Sequence, residues 1–344
     1  MQALDDLMFS IRRMGEEDQP QPPAEPVDLL LYAPCPVKLV VKDHIERIFA
    51  GCAEEGVHLT KHIPMGCTSI DPYDPICWEE DPDRLPAVIG SIGFGDFWRR
   101  EFVDNHVRKK IFSAVRPPRL HPLHEQAGLV DPRGVYTIYG VTPYVFMLDT
   151  RRLGGLPEPR VWEDLLHPRY KGEVIMCGDG DDMADAVVLN LYKDFGIDGL
   201  KAMAENSKGL MHSSAMVKSV GSTQEKAGAI YVIPAFFAES TLQPKHIKVV
   251  WPEDGAAASP LYMLAKRNEH GRLAHLINFF TSGFATIESA AWFVPMDAAA
   301  AIRLPPSARL KWVGWDFIEA NDVNALRDQM NALFRSLVRS RGCD

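Results

Sequence analysis

The stretch VYTIYGVTPYVFMLD, residues 135–149, does most to restrict what this chain can fold into. It is rich in β-branched and aromatic residues and is interrupted by Gly140 and Pro143. Such residues favour a pleated, buried strand. A strand this long with a break in it can cross from one domain to another. The sequence before it alternates short apolar runs with helical spacing. LLLYA (29–33) ends at Pro34 and reads as a buried strand, and Val41, Ile45, Ile48 and Cys52 then mark one face of a helix. HLTKHIP (58–64) alternates as a strand, and LPAVIGSIG (85–93) is a buried run followed by a helical segment from about Phe97 to Val107. A second set follows the long strand. It comprises EVIMC (173–177), a helix through Met183, Ala186, Val187 and Leu191, then AIYVIPAFF (229–237), HIKVVWP (246–252) and ASPLYMLAK (258–266). Repeated βα units imply mainly parallel sheets flanked by helices. Two helices close the chain, one through Leu273, Leu276, Ile277 and Phe280, the other through Val323, Leu326, Met330, Leu333 and Leu337. Asn321 or Asp322 can cap the second.

Two domains also suit a chain of 344 residues. The net charge of −9 comes with no long basic run, which argues against a nucleic-acid partner. The basic residues Arg99, Arg100 and Arg108 to Lys110 are interleaved with Glu101 and Asp104, as on a solvated helix face. VDLLLYAPCPVKLVV is broken by two prolines, so membrane insertion is not expected. Residues 1–26 read as a short amphipathic helix, with Leu4, Leu7, Met8 and Ile11 on one face, and a Pro-rich linker, GEEDQPQPPAEP. As it stands this start lacks the pattern of a secretory signal, which gives a cytoplasmic expectation, or a periplasmic one if a leader was removed.

The strand-end loops hold the candidate site residues. They are APCPVK (33–38), PMGCTS (64–69), GFGD (93–96), CGDGDD (177–182), HSSAM (212–216) and PAFF (234–237). The glycines Gly93 and Gly95 let a ligand approach the backbone around Phe94. Asp96 either meets a ligand amine or caps the helix near Phe97, capping being the plainer reading. Cys35, Cys67 and Cys177 each follow a strand and could together take a soft metal, although each alone reads as a small buried residue. No CxxC pair occurs, so structural zinc is poorly supported. In CGDGDD, Asp182 or Asp181 reads as an N-cap with Asp185 three residues beyond Asp182, which leaves Cys177, Gly178 and Asp179 aimed at a ligand. Ser213 and Ser214 open a short helix whose N–H groups favour an anion. In His121-x-x-His124-Glu125, Pro122 argues for a surface loop rather than a metal pair. No G-x-S-x-G elbow occurs, and no convincing acid–base set assembles, which weakens an enzyme reading.

Three segments carry a resemblance. PEPRVWEDLLHPRYKGEVIM (157–176) resembles the P-x-x-W-x-D-L-x-x-P-x-x-K-G-x-I stretch of the solute-binding proteins of ABC importers, in the branch that includes ferric-iron, putrescine and phosphonate binders. DPRGVYTIYGVTPYVFMLDT (131–150) and LAHLINFFTSGFATIESAAWFVPMD (273–297) resemble that family's crossing strand and closing region. The resemblance covers roughly residues 27–338.

It implies an α/β fold of the type II periplasmic-binding-protein kind. Two lobes, each a mainly parallel sheet flanked by helices, are joined by hinge strands and close around one small solute. Lobe 1 would comprise 27–138 with about 247–290, and lobe 2 would comprise 139–246, with the C-terminal helices 291–344 packing mainly on lobe 2. Ligand contacts would come from Cys35, Pro36, Gly93, Phe94, Gly95, Asp96, Cys177, Gly178, Asp179, Ser213, Ser214, Phe236 and Phe237. Ferric-binding members carry two adjacent tyrosines near the PAFF loop. Phe236 and Phe237 have no oxygen there, which disfavours tyrosinate-bound iron. The resemblance implies a small-molecule ligand and an ABC permease as partners, or a protein docked through the N-terminal helix, and no cofactor beyond the bound solute or metal. An enzyme on the same fold and a soft-metal carrier using the cysteines are the alternatives.

Overall fold

The computed structural model describes residues 26–65, 71–179, 182–239, 245–302 and 304–340. Eleven strands are assigned among these: β1 Leu29–Leu31, β2 Lys61–His62, β3 Val88–Ile92, β4 Thr137–Asp149, β5 Val174–Asp179, β6 Asp182–Met183, β7 Ser207–Met211, β8 Ile230–Pro234, β9 Ile247–Val250, β10 Ala256–Ala265 and β11 Leu310–Lys311. The helices that matter for the site are α1 Lys38–Glu54, α2 Asp185–Asn206, α3 Ser213–Ser219, α4 Ala235–Glu239 and α5 Val323–Arg339.

β4 is the long strand read from the sequence, and it joins two α/β lobes. Its first half pairs antiparallel with β10, which continues antiparallel to β3, and β3, β1 and β2 then run parallel. Its second half pairs antiparallel with β9 on one edge and β8 on the other, and β8, β5 and β7 run parallel. Tyr144 marks the crossing, because it pairs with both Ala257 and Pro234. The break in the strand has a physical cause. Beside Gly140 the register with β10 shifts between Leu261 and Tyr262. A Cβ at Gly140 would lie 2.9 Å from the Phe293 carbonyl oxygen, so only glycine lets the 288–293 turn close against the strand.

The binding-protein motif at 157–176 is structural. Trp162 and Leu165 are buried, and the Trp162 indole packs edge-on against Phe146 of β4 and donates to the Gly255 carbonyl at 2.8 Å. The Asp164 carboxylate accepts the backbone N–H groups of Arg160 at 2.7 Å and Val161 at 3.1 Å, which stops the extended segment and starts the turn. Gly172, at φ 73°, then admits the sharp bend into β5.

Several local expectations change. In 58–64 only Lys61 and His62 pair, and 97–107 is three short turns of different pitch, Asp96–Trp98, Arg100–Phe102 and Val103–Val107. Pro122 starts a short helix, Pro122–Gln126, because proline at the first helical position gives up an N–H that has no partner there. His121 caps it, and His124 is buried with Nε2 2.7 Å from the Val294 carbonyl. Burial lowers the His124 pKa to about 4, so the ring is neutral near pH 7. The acidic loop is also not a helix cap. Residue 182 lies in β6, which pairs with β5, and the position before α2 is Ala184, with no side-chain cap.

Candidate functional site

The strand ends of lobe 1 face the start of α2 in lobe 2. β3 ends at Ile92, and Gly93 turns the chain at φ 66°, its N–H donating to the Pro260 carbonyl at 2.8 Å and its carbonyl accepting the Trp98 indole at 3.0 Å. A Cβ here would lie 3.7 Å from Asp185 Oδ2 and 3.9 Å from Ser259 Oγ. The two lobes therefore meet across Gly93. Phe94 is fully buried, stacked over Trp312 at 5.5 Å and beside Trp98 at 5.9 Å. Gly95 opens the next turn, and Asp96 does not cap it but pairs with Arg99 Nη2 at 3.1 Å. Arg99 lies over the ring of Trp78, an exposed side chain, at 4.1 Å.

The turn at 71–78 lies close to these groups. Buried Asp71 lies 3.0 Å from His62 Nε2 and accepts the Tyr73 N–H at 2.8 Å, while Asp74 accepts the Asp71 N–H at 3.0 Å. Burial, helped by the Asp71, Asp74 and Asp96 carboxylates, holds the Tyr32 phenol well above its ordinary range. Burial raises Asp74 too, and its neighbours Asp71 and Asp96 add to this against one backbone hydrogen bond. Burial and Asp96 raise the Cys77 thiol, with Arg99 opposing them. This end of lobe 1 is thus acidic and partly dehydrated, an environment that disfavours further negative charge.

In lobe 2, β5 and β6 form a small hairpin with Gly178 opposite Met183 and Asp179 opposite Asp182. It delivers Asp185 as the first residue of α2, where a carboxylate complements the helix dipole. Cys177 is buried with its Sγ 3.0 Å from Ser213 Oγ, so these two candidates face each other within lobe 2. His212 Nδ1 caps α3 by accepting the Ser214 N–H at 3.2 Å, and it lies 2.9 Å from Ser214 Oγ. Phe236 and Phe237 are buried edge-to-face, and Phe236 also stacks on Phe293 at 5.9 Å. The turn Cys35–Val37 rests on the same 288–293 segment, with Cys35 half-buried. Cys67 lies outside the described residues. Among the described residues no group of three or more His, Cys, Asp or Glu is arranged to hold a metal.

The structure adds residues from α5. Asn331 Nδ2 donates to Asp185 Oδ1 at 2.7 Å, Arg327 Nη1 lies 4.0 Å from Asp185 Oδ2, and Asn324 Nδ2 reaches the Phe94 carbonyl at 3.5 Å. One helix thereby touches both lobes at the point where they meet. The sequence shows α5 as an amphipathic helix capped by Asp322, and that cap is present, with the Ala325 N–H 3.2 Å from Asp322 Oδ1. Nothing in the spacing of its polar face says that this face reaches α2.

A separate cavity of about 60 Å³ lies in lobe 1, lined by Trp98, Arg100, Arg133, Tyr136 and Trp315 among others. Its floor is the stacked Trp98–Tyr136 pair, with ring centres 4.1 Å apart.

Comparison with known proteins agrees with this architecture. The sequence family of bacterial extracellular solute-binding proteins matches residues 83–321. No curated protein matches the chain by sequence. Among solved structures, a Trichodesmium protein (IdiA, FutA) in complex with iron and citrate superposes with a TM-score of 0.59 at 13% identity, over 90% of this chain and 98% of that one. A Bordetella ferric binding protein gives 0.59 at 12% identity, over 91% and 99%. The periplasmic binding protein AfuA of Actinobacillus pleuropneumoniae, with exogenous fructose-6-phosphate bound, gives 0.52 at 15% identity, over 92% and 99%. At these identities the likeness is one of fold.

Proposed function

Because the chain belongs to the family of bacterial extracellular solute-binding proteins, we propose that its solute is held where the two lobes meet, between Gly93–Asp96 and the start of α2 at Asp185. The protein is a solute-binding protein of the ABC-importer type, a two-lobed binder of one small ligand. The observation that carries the location is the approach of the Asp185 carboxylate to Gly93, 3.7 Å from where a Cβ there would lie, with Arg327 alongside. Charged groups from both lobes converge there, and the strand ends of an α/β sheet are where its ligands bind.

The remaining features support this reading. The solute is a small polar one, and the 234–237 loop offers it no phenolate, since Phe236 stacks on Phe293 and Phe237 packs on Phe236. Binding proceeds without chemistry: the Cys177 thiol faces the Ser213 hydroxyl, and His212 Nδ1 is occupied as a helix cap, so no nucleophile–base pair is free among them. The lobes divide at the two crossings, near Tyr144 on β4 and at 251–255 between β9 and β10. The partner is an importer's permease, with residues 1–26 as a further docking element, and the family's extracellular character favours a place outside the cytoplasm.

Thermal-shift screening of small oxyanions, amino acids, polyamines and divalent metals tests the binding. One class should raise the melting temperature by mass action, with a gain near 2.7 kcal/mol at a hundredfold excess over Kd. Asp185→Asn should weaken that response at least tenfold. An undiminished response in the variant would place the solute elsewhere.

A further inference from the structure

The cavity of about 60 Å³ lies behind the 93–96 turn, and its walls are of two kinds. One wall is aromatic. Trp98 and Tyr136 are stacked with ring centres 4.1 Å apart, and Trp315 leans against both, at 5.9 Å and 6.1 Å. The polar ends of all three rings are engaged elsewhere. The Trp98 indole donates to the Gly93 carbonyl at 3.0 Å, the Trp315 indole to the Gly128 carbonyl at 3.0 Å, and the Tyr136 hydroxyl to the Phe97 carbonyl at 2.8 Å. What the rings offer the cavity is therefore carbon surface. Trp98 and Tyr136 are buried, while Trp315 keeps part of its surface open.

The other wall is ionic, and most of its charges are already answered. Arg133 pairs with Glu319, and Arg108 pairs with Asp104 at 2.8 Å. Asp131 is buried and accepts three backbone N–H groups, that of Arg133 at 2.9 Å and those of Val135 and Tyr136 at 2.8 Å. Arg100 and Asp316 remain. Neither side chain has an ion pair or hydrogen bond among the described residues. Asp316 is exposed, so water answers its charge. Arg100 is half-buried, and a guanidinium drawn part-way out of water gains most from an anion that meets its fork.

We infer that this cavity is a second ligand site, suited to a small aromatic monocarboxylate. The carboxylate takes the Arg100 guanidinium as a bidentate pair, and the ring lies against Trp315 and Tyr136. The size agrees, since a cavity of about 60 Å³ has room for about five waters, or for one ring of that kind. The charge count limits the ligand to a single negative charge. A dianion would meet one unpaired guanidinium beside the carboxylates of Asp316 and Glu319. A cation would find only the solvent-facing carboxylate of Asp316. No residue of α2 or of β5 to β8 lines the cavity, so this site stands or falls apart from the interlobe one. The two share a ring, because Trp98 also holds Gly93.

Isothermal titration of the full chain with benzoate tests this, with acetate, benzyl alcohol and benzylammonium as controls. Benzoate should bind as one equivalent, at least tenfold more tightly than any control. Arg100→Gln should weaken benzoate at least tenfold. Arg100→Lys, which keeps the charge but not the fork, should weaken it by a smaller factor and serves where the Gln variant fails to fold. Trp315→Leu should weaken it at least threefold. Absence of benzoate binding in the wild type, or acetate binding as tightly as benzoate, would overturn the proposal. So would benzylammonium binding as tightly, which would make Asp316 the recognising group. Benzoate held at the lobe junction would survive both Arg100 substitutions, and that result would overturn the second site while leaving the interlobe one standing.

Discussion

The strand ends of the two lobes are built in opposite ways. In lobe 1 they leave charge at the edge: Asp74 and Asp96 are exposed or half-exposed, Asp96 pairs with Arg99, and Arg99 stacks on Trp78. In lobe 2 they turn inward: Cys177 meets Ser213, Phe236 packs on Phe293, and Phe237 on Phe236. Asp185 presents an ionic side chain from lobe 2 toward Gly93, and α5 holds it there. The contrast divides the labour. On the proposed reading, recognition would fall to lobe 1 and α5, while lobe 2 would supply the Asp185 carboxylate at the start of α2.

Substitutions can break that contrast, and the largest expected effect is in lobe 2. Phe236→Ala removes a buried ring and should cost about 3–5 kcal/mol in urea unfolding, while solute affinity of the folded fraction changes less than twofold. Loss of affinity without loss of stability would put Phe236 in the site and undo the contrast. Next comes a pH effect in the body of lobe 1. His124 is depressed from 6.5 to about 4, so the unfolded chain binds the proton more readily across that interval. Stability is therefore full above pH 6.5 and falls as pH drops toward 4, by on the order of 3 kcal/mol. Urea titrations across this range should show that slope, and His124→Gln should flatten it. Cys177→Ala should cost about 1–3 kcal/mol, because it leaves the Ser213 hydroxyl buried without its thiol partner, and should leave solute affinity unchanged. Asp96→Asn should have the smallest effect on stability, under about 1 kcal/mol for a half-exposed ion pair, yet lower solute affinity at least tenfold. A variant that destabilises strongly but binds normally would move Asp96 to the packing side.

Much of the frame was legible in the sequence because it rests on long, strongly patterned segments. β4 announced itself by β-branched and aromatic residues over thirteen positions, α5 by its apolar repeat, and the 157–176 motif by Trp162 and Gly172. The site was less legible. Residues 174–177 of β5 are buried on both faces, so no alternation tells which side Cys177 takes. Acidic residues next to glycine suit an N-cap and a hairpin equally, and pairing with β5 made 182–183 a strand. Phe94, between two glycines, read as ligand-facing, but the stack of Trp98 and Trp312 beneath it draws it inward. Arg327 and Asn331 carried no local signal, since their role depends on how α5 docks on α2, a tertiary fact.

Hydrogen–deuterium exchange tests the central claim most directly. The protein would be compared with and without the solute that native mass spectrometry finds on it or that screening identifies. Protection should appear together at residues 93–96, at the start of α2 around Asp185, and in α5 from Asn324 to Asn331. Protection confined to the Trp98–Tyr136–Trp315 cavity, or to α3 and α4 without the lobe junction, would contradict it.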